Sequence, residues 1–297
     1  MVSVLPWFLS RKGAALMSVA GLSASRRFEG YAGAIVTGAS SGLGEAMVKR
    51  IHALNENLPI LCISRSKPIL HYPENILKHV SCDLSNGAAI KSCFPEVENF
   101  MEALVVDGKL LLINNSGVGA YGSFPEEDFS KLGPMIDLNV RAVVHLTSKL
   151  HSFIVKRGGA IVNVSSLAAF QPTPFLSVYG ATKAFLLHWS LSLREELRDS
   201  DVQVLAVCPG PIRTNFFRAA GFTRRLGNVS GREPDDVAVA VFHSLFKGRA
   251  VMTFGFRDWF LAVVAARLPR TWLARLSGSI LRKLRLERFN KAQINDE

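Results

Sequence analysis

Between residues 33 and 254 short apolar runs recur, and longer stretches with helical spacing fall between them. The runs are GAIVT (33–37), ILCIS (60–64), HVSC (79–82), LLIN (111–114), AIVNVS (160–165), VQVLAVC (202–208) and AVMTF (250–254). They are rich in Val, Ile and Leu and do not alternate, the pattern of strands buried on both faces. Helical periodicity falls near 43–55, 87–103, 128–156, 178–199 and 234–247. In the first of these, Met47, Val48, Ile51 and Leu54 recur at three- and four-residue steps. A β-α repeat of this kind predicts an α/β fold: a doubly wound, mostly parallel seven-stranded sheet with right-handed crossovers. No repeat, linker or boundary interrupts it before about residue 255, so residues 31–255 read as one domain.

Composition agrees with a sizeable core: 297 residues, 48% of them apolar. Cys62, Cys82, Cys93 and Cys208 show no CxxC or metal-ligand spacing. They predict free, reduced thiols in a cytoplasmic setting, with no disulfide framework and no metal. The net charge of +11 is unevenly spread. Residues 249–297 hold ten Lys or Arg against four acids. Within the 256–297 extension, Trp272, Leu273, Leu276, Ile280 and Leu284 fall on one side of a helix, and Arg275, Arg282, Arg285 and Arg288 mainly on the other. This basic amphipathic pattern suits peripheral contact with an anionic membrane. It equally suits packing on the chain's own domain or on a second subunit. No stretch reaches the roughly 18 apolar residues of a spanning helix. Residues 1–30 read as a weak signal-like leader, an interfacial anchor, or an overextended start ahead of Met17.

Candidate chemistry begins directly after the first strand. VTGASSGLGEAM puts Gly38, Gly42 and Gly44 in a tight loop before a helix, with Thr37, Ser40, Ser41 and Leu43 among them. Glycines let the backbone approach a pyrophosphate, and the helix N-terminus supplies N–H donors. The TGxxxGxG spacing resembles the short-chain dehydrogenase/reductase family, with its Rossmann-type sheet. The second strand ends CISRSK, where an acid would select NAD; Arg65 there offers a guanidinium to a 2′-phosphate and predicts NADP(H). The resemblance places Asp83 of SCDLS beside the adenine. It makes NNSG, which contains Asn115, the wall behind the adenosine.

Four further features match the same family across residues 31–255. They are Asn139 in DLNV, Ser166 after IVNVS, the Tyr179/Lys183 pair thirteen and seventeen residues later, and the turn CPGPIRT. The resemblance implies an oxidoreductase moving hydride between a nicotinamide and a carbonyl or secondary alcohol. The chemistry suits the spacing. A free phenol has a pKa near 10, and a cation one helical turn away stabilises its phenolate and brings it toward the working pH. Lys183 would also hold the nicotinamide ribose. Ser166 would donate to the carbonyl oxygen. Asn139 would hold a water that relays protons to Lys183. Pro209 and Gly210 would lie against the nicotinamide, with Thr214 on its carboxamide.

After Thr214 the expected substrate loop carries Phe216, Phe217 and Phe222, and Pro174, Phe175 and Leu176 form an opposite wall. Such walls suit an apolar small-molecule carbonyl or alcohol, lipid-like, acyl or steroid-like. No nucleic-acid partner is expected. Homo-oligomers through the two long helices follow from the resemblance. A non-catalytic NADP(H)-binding redox sensor is the alternative, and the complete Asn139, Ser166, Tyr179, Lys183 set weighs against it.

Overall fold

A computed structural model describes residues 28–104, 107–124, 129–221 and 231–292, with side chains to residue 282. Its seven strands are β1 (Tyr31–Thr37), β2 (Ile60–Ser64), β3 (Leu77–Ser81), β4 (Lys109–Asn114), β5 (Gly159–Val164), β6 (Val202–Val207) and β7 (Val251–Met252). They pair in parallel, in the order β3-β2-β1-β4-β5-β6-β7. The order reverses direction between β1 and β4, so the crevice at the carboxyl ends of these two strands is where such a sheet binds ligands.

Nine helices are described: α1 (Gly42–Leu54), α2 (Gly87–Glu102), α3 (Phe129–Ile136), α4 (Ala142–Arg157), α5 (Ser177–Glu196), α6 (Phe216–Ala219), α7 (Pro234–Phe246), α8 (Gly255–Arg267) and α9 (Arg270–Ala292). Met47, Val48 and Ile51 of α1 and Val237, Val241 and Phe242 of α7 fill one side of the sheet. Residues of α2, α4 and α5 fill the other. Local chemistry sets the helix starts. Asn86 caps α2 by accepting from Ala88 N (2.9 Å) and Ala89 N (3.3 Å). Pro234 opens α7 ahead of Asp235 and Asp236, which favour the positive helix end.

Two departures from the sequence pattern have physical causes. The helical stretch expected over 128–156 is divided into α3, a π-helical turn at Asp137–Arg141, and α4. Pro134 lies inside α3, and the π turn inserts the extra residue that carries Asn139 inward. The last strand stops at Met252, because Gly255 at φ +83° turns the chain into α8. All four cysteines are free and buried, and the Cys82 and Cys93 sulfurs lie 3.0 Å apart.

The C-terminal helices fold back onto the loops at the sheet's carboxyl edge. Ser277 Oγ donates to Pro172 O (2.9 Å) and Tyr121 OH to Leu281 O (3.2 Å). Arg270 Nη1 donates to Phe170 O, and Gly278 packs against Pro174. Leu273 and Ser277 are buried in this contact, whereas Trp272, Leu276 and Ile280 are exposed. So α9 rests on its own domain through a different face from the expected stripe, and Leu273 leaves that stripe. The side chains of Leu284, Arg285 and Arg288, and residues 1–27, lie outside the described residues, as does Phe222.

Candidate active site

Three segments converge on the crevice: the π turn, the end of β5 and the first turn of α5. Asn139 is fully buried, and both of its amide N–H donors are engaged. It donates from Nδ2 to Val118 O (2.9 Å) and to Thr182 Oγ1 (3.0 Å), and its Oδ1 accepts from Val118 N (3.0 Å). Thr182 Oγ1 in turn donates to Tyr179 O at 2.7 Å. Thr182 therefore ties the π turn to the helix carrying the phenol. A sequence pattern shows only an ordinary helical threonine at that position.

Lys183 is buried, and its Nζ donates to Val164 O at 2.8 Å. Ser165 Oγ donates to the Lys183 carbonyl at 2.7 Å, fastening α5 to β5. Nζ stands 5.9 Å from the Tyr179 ring centroid. Burial lowers Lys183 to about 8, while the neighbouring Cys208 acts weakly the other way. Burial raises the Tyr179 phenol to about 12, opposed by its hydrogen bond with Ser166. The expected depression of the phenol by the lysine is absent from this geometry, because loss of solvation outweighs attraction across that distance. Ser166 also has a structural role, since its Oγ accepts from Ala168 N (3.1 Å) and caps the 3₁₀ turn Leu167–Phe170.

The glycine loop is shaped for a close ligand. Gly38 and Gly42 take φ +66° and +60°, and a Cβ on Gly44 would collide with the Gly38 carbonyl. Ser41 sits at the N-cap of α1 but makes no side-chain cap, leaving the first-turn N–H groups for an anion. A cavity of about 730 Å³ opens there, lined by Ser41, Gly42 and Thr214 and, further out, by Lys49 and Arg213 together with Glu45 and Asp235; Lys49 pairs with Glu45 and Arg213 with Glu233, so the ligand donors are the loop and helix N–H groups. These features fit a dinucleotide pyrophosphate. Thr37 and Asn115 brace the loop from beneath. Thr37 Oγ1 accepts from Asn115 N (2.9 Å) and Ser116 N (3.0 Å), and Asn115 Nδ2 donates to Thr37 O (3.0 Å) and Gly38 O (3.1 Å). Their polar atoms lock the β1 and β4 loops together. Leu43 is buried beneath the loop, and Ser40 is half-buried.

Arg65 and Asp83 project from the ends of β2 and β3, both exposed. The Ser85 hydroxyl holds the Asp83 carboxyl below its usual range, with smaller help from the Ser85 N–H and Arg65. At the other end, Pro209 O accepts from Leu167 N at 3.0 Å, and the Gly210 N–H bonds the Asp258 carboxylate of α8. Thr214 lies against Gly42, where an added Cβ would meet its Cγ2 at 3.0 Å.

The cleft walls are apolar. Phe216 lies over Tyr179 with ring centroids 5.5 Å apart and also faces Gly119. Tyr121 and Phe175 pair at 6.5 Å, and Phe175 holds φ +65°, a strained value for a residue with a side chain. Phe217 packs edge-on against Phe216 at 5.6 Å, and Pro174 and Leu176 flank Phe175.

A sequence profile described as short chain dehydrogenase matches residues 32–224, well over half of the chain. The protein belongs to the short-chain dehydrogenase/reductase family. It is 27% identical over 218 residues to an uncharacterized oxidoreductase of Staphylococcus epidermidis, covering 71% of this chain and 90% of the relative. It is 30% identical over 184 residues to the ketoacyl reductase HetN of Nostoc sp., covering 59% of this chain and 62% of that one. Among solved structures, a short-chain dehydrogenase from Sphingobium yanoikuyae in complex with NADPH superposes with a TM-score of 0.65 at 27% identity, covering 79% and 92% of the two chains. One from Burkholderia phymatum in complex with NAD has a TM-score of 0.67 at 22% identity, covering 79% and 91%; at that identity the likeness is one of fold.

Proposed function

We propose that this protein is an NADP(H)-dependent carbonyl reductase acting on an apolar ketone or aldehyde, and on the matching secondary alcohol in reverse. The observation that carries this reading is the Tyr179 phenol, hydrogen-bonded to Ser166 with buried Lys183 one turn behind it, in an apolar cleft beside the glycine loop. Bound NADPH supplies the hydride. The chain supplies the rest. Ser166 donates to the carbonyl oxygen as negative charge develops. Tyr179, protonated well past neutral pH, delivers the proton to that oxygen. Lys183 Nζ uses one proton on Val164 O, leaving two for the coenzyme ribose and for proton resupply. Phe216, Phe175 and Tyr121 exclude water and select an apolar substrate.

The coenzyme choice rests on Arg65 at the end of β2 and is supported by the NADPH bound to the Sphingobium relative. Homo-oligomerisation is part of the proposal. Val155 of α4 and Phe185 and Leu191 of α5 are 37%, 40% and 38% exposed, large apolar side chains on two long helices packed against the sheet. The test is NADPH oxidation with a panel of apolar ketones and aldehydes, alongside Tyr179→Phe. Turnover by the native protein and its loss in the variant support the reading. No turnover on any carbonyl, with NADPH still bound, leaves the sensor function instead.

A further inference from the structure

We infer that α8 and α9 form a docking face for an anionic lipid surface, and that the substrate is a carbonyl compound that partitions into lipid. The second half rests on the reductase reading; the first does not. The helix pair has two apolar sides. The inner one is occupied: Ala262, Ala265, Leu273 and Ser277 are buried, and Leu281, Gly278 and Asp258 reach Tyr121, Pro174 and Gly210 of the cleft. The outer one carries Phe256, Trp259, Phe260 and Leu261 on α8, exposed by 68%, 48%, 52% and 52%. It continues on α9 with Trp272, Leu276 and Ile280, exposed by 66%, 58% and 54%. These are large apolar side chains on one contiguous helix pair, far beyond scattered surface residues. The α8 aromatics cluster, with Phe256 at 5.6 Å from Trp259 and 6.1 Å from Phe260.

Charge decides what covers this face. Between Gly255 and Arg282 the chain has five arginines and a single acid, Asp258, which turns inward to the Gly210 N–H. Arg270 turns to Phe170 O. Arg257, Arg267, Arg275 and Arg282 remain exposed beside the apolar residues. On α9, Arg275 and Arg282 flank the Trp272–Leu276–Ile280 stripe, as an interfacial helix requires. A second copy of the chain would bring two strongly basic faces together, which opposes self-pairing. An anionic bilayer accepts both features, with tryptophans at headgroup depth and guanidiniums on lipid phosphates. Among the described residues no helix is long and apolar enough to cross a membrane. The opposite side of the pair packs on the cleft wall, so docking would bring the cleft close to the lipid surface.

The experiment is co-sedimentation of the full-length chain with phosphatidylcholine vesicles, with and without about one-third phosphatidylserine, and light scattering on the same samples. The native chain should pellet with anionic vesicles at least tenfold more than with neutral ones. Trp259→Ser with Trp272→Ser should abolish pelleting at any salt. Arg275→Gln with Arg282→Gln should weaken it about fivefold per charge at low salt. NADPH turnover of a water-soluble ketone should stay at the native rate in both variants, while reduction of a vesicle-borne long-chain ketone falls with binding. Full-length chain left in the supernatant overturns the docking face, as does a tryptophan variant that changes the oligomeric state instead. Equal losses on soluble and vesicle-borne ketones overturn the substrate class. Lipid binding without any turnover would sink the reductase reading while leaving the docking face standing.

Discussion

Asn139 and Lys183 face each other across Gly117: a Cβ on that glycine would lie 3.2 Å from both Asn139 Oδ1 and Lys183 Nζ. The two polar groups thus share one small space, which the missing side chain keeps open. This is where a water would link them. Gly117→Ala puts a methyl there with little backbone strain, since this glycine is not among those with positive φ. The expected result is at least a tenfold fall in kcat for ketone reduction, with NADPH affinity changed only a few-fold and the melting temperature nearly native. A kcat within twofold of the native value would show that no proton path crosses this space.

Lys183 should make the coenzyme-free protein less stable at neutral pH. Its folded pKa is about 8, against 10.5 for an unperturbed lysine side chain. The unfolded chain therefore binds more protons between those values, and stability rises with pH across that window. Below about pH 8 the full penalty applies, roughly 3 kcal/mol. Lys183→Met removes it and forfeits the bond to Val164 O, which offsets about 1 kcal/mol. The variant should then melt higher than the native protein at about pH 7 and lose most of that advantage by about pH 10.5. It should also lose turnover. An advantage independent of pH, or none, would mean that the lysine is not held in a desolvated site.

Tyr179 sets the direction of the pH profiles. With the phenol near 12, the protonated form needed for reduction dominates throughout the neutral range. The phenolate needed to accept a proton from an alcohol is scarce and should grow about tenfold per pH unit below the pKa. Alcohol oxidation should climb steeply from about pH 7 to 10, and ketone reduction should stay nearly flat until Lys183 titrates. Tyr179→Phe should remove both activities and leave NADPH binding nearly intact. A reduction rate that climbs with pH as steeply as oxidation would contradict a phenol donor.

Legibility followed sequence distance. The strands showed as apolar runs because both of their faces are covered, and the glycine loop and Tyr179/Lys183 spacing are local patterns. Thr182, which bonds Asn139 across 43 residues, carries no local signal. The space at Gly117 and the Phe216 ring over Tyr179 depend equally on how distant elements meet. The π turn was hidden because its composition resembles that of the helices around it. In α9 the sequence showed an apolar stripe and flanking cations, but not which side would pack. Small residues, Ser277 and Gly278, let the helix lie close to Pro172 and Pro174, and a hydrophobic pattern gives such residues no weight.

Arg65 is the residue on which coenzyme choice should turn. Its backbone is held in place, since Ser81 Oγ donates to the Arg65 carbonyl at 3.3 Å, while its side chain is exposed at the crevice edge. The acid an NAD-selecting site would carry at the end of β2 is missing; Asp83, two residues past the end of β3, is instead bonded to Ser85 at 2.7 Å. A charge-assisted contact to a 2′-phosphate contributes about 1.5–3 kcal/mol, or roughly ten- to a hundredfold in affinity. Arg65→Gln should therefore weaken NADPH by that factor and leave NADH unchanged. Arg65→Asp should weaken NADPH further, through repulsion, and improve NADH by offering a carboxylate to the ribose hydroxyls. Titrating both coenzymes against the native protein and the two variants separates the contributions. A native protein that prefers NADH, or an Arg65→Gln variant that loses both coenzymes equally, would show that this guanidinium does not read the 2′-phosphate.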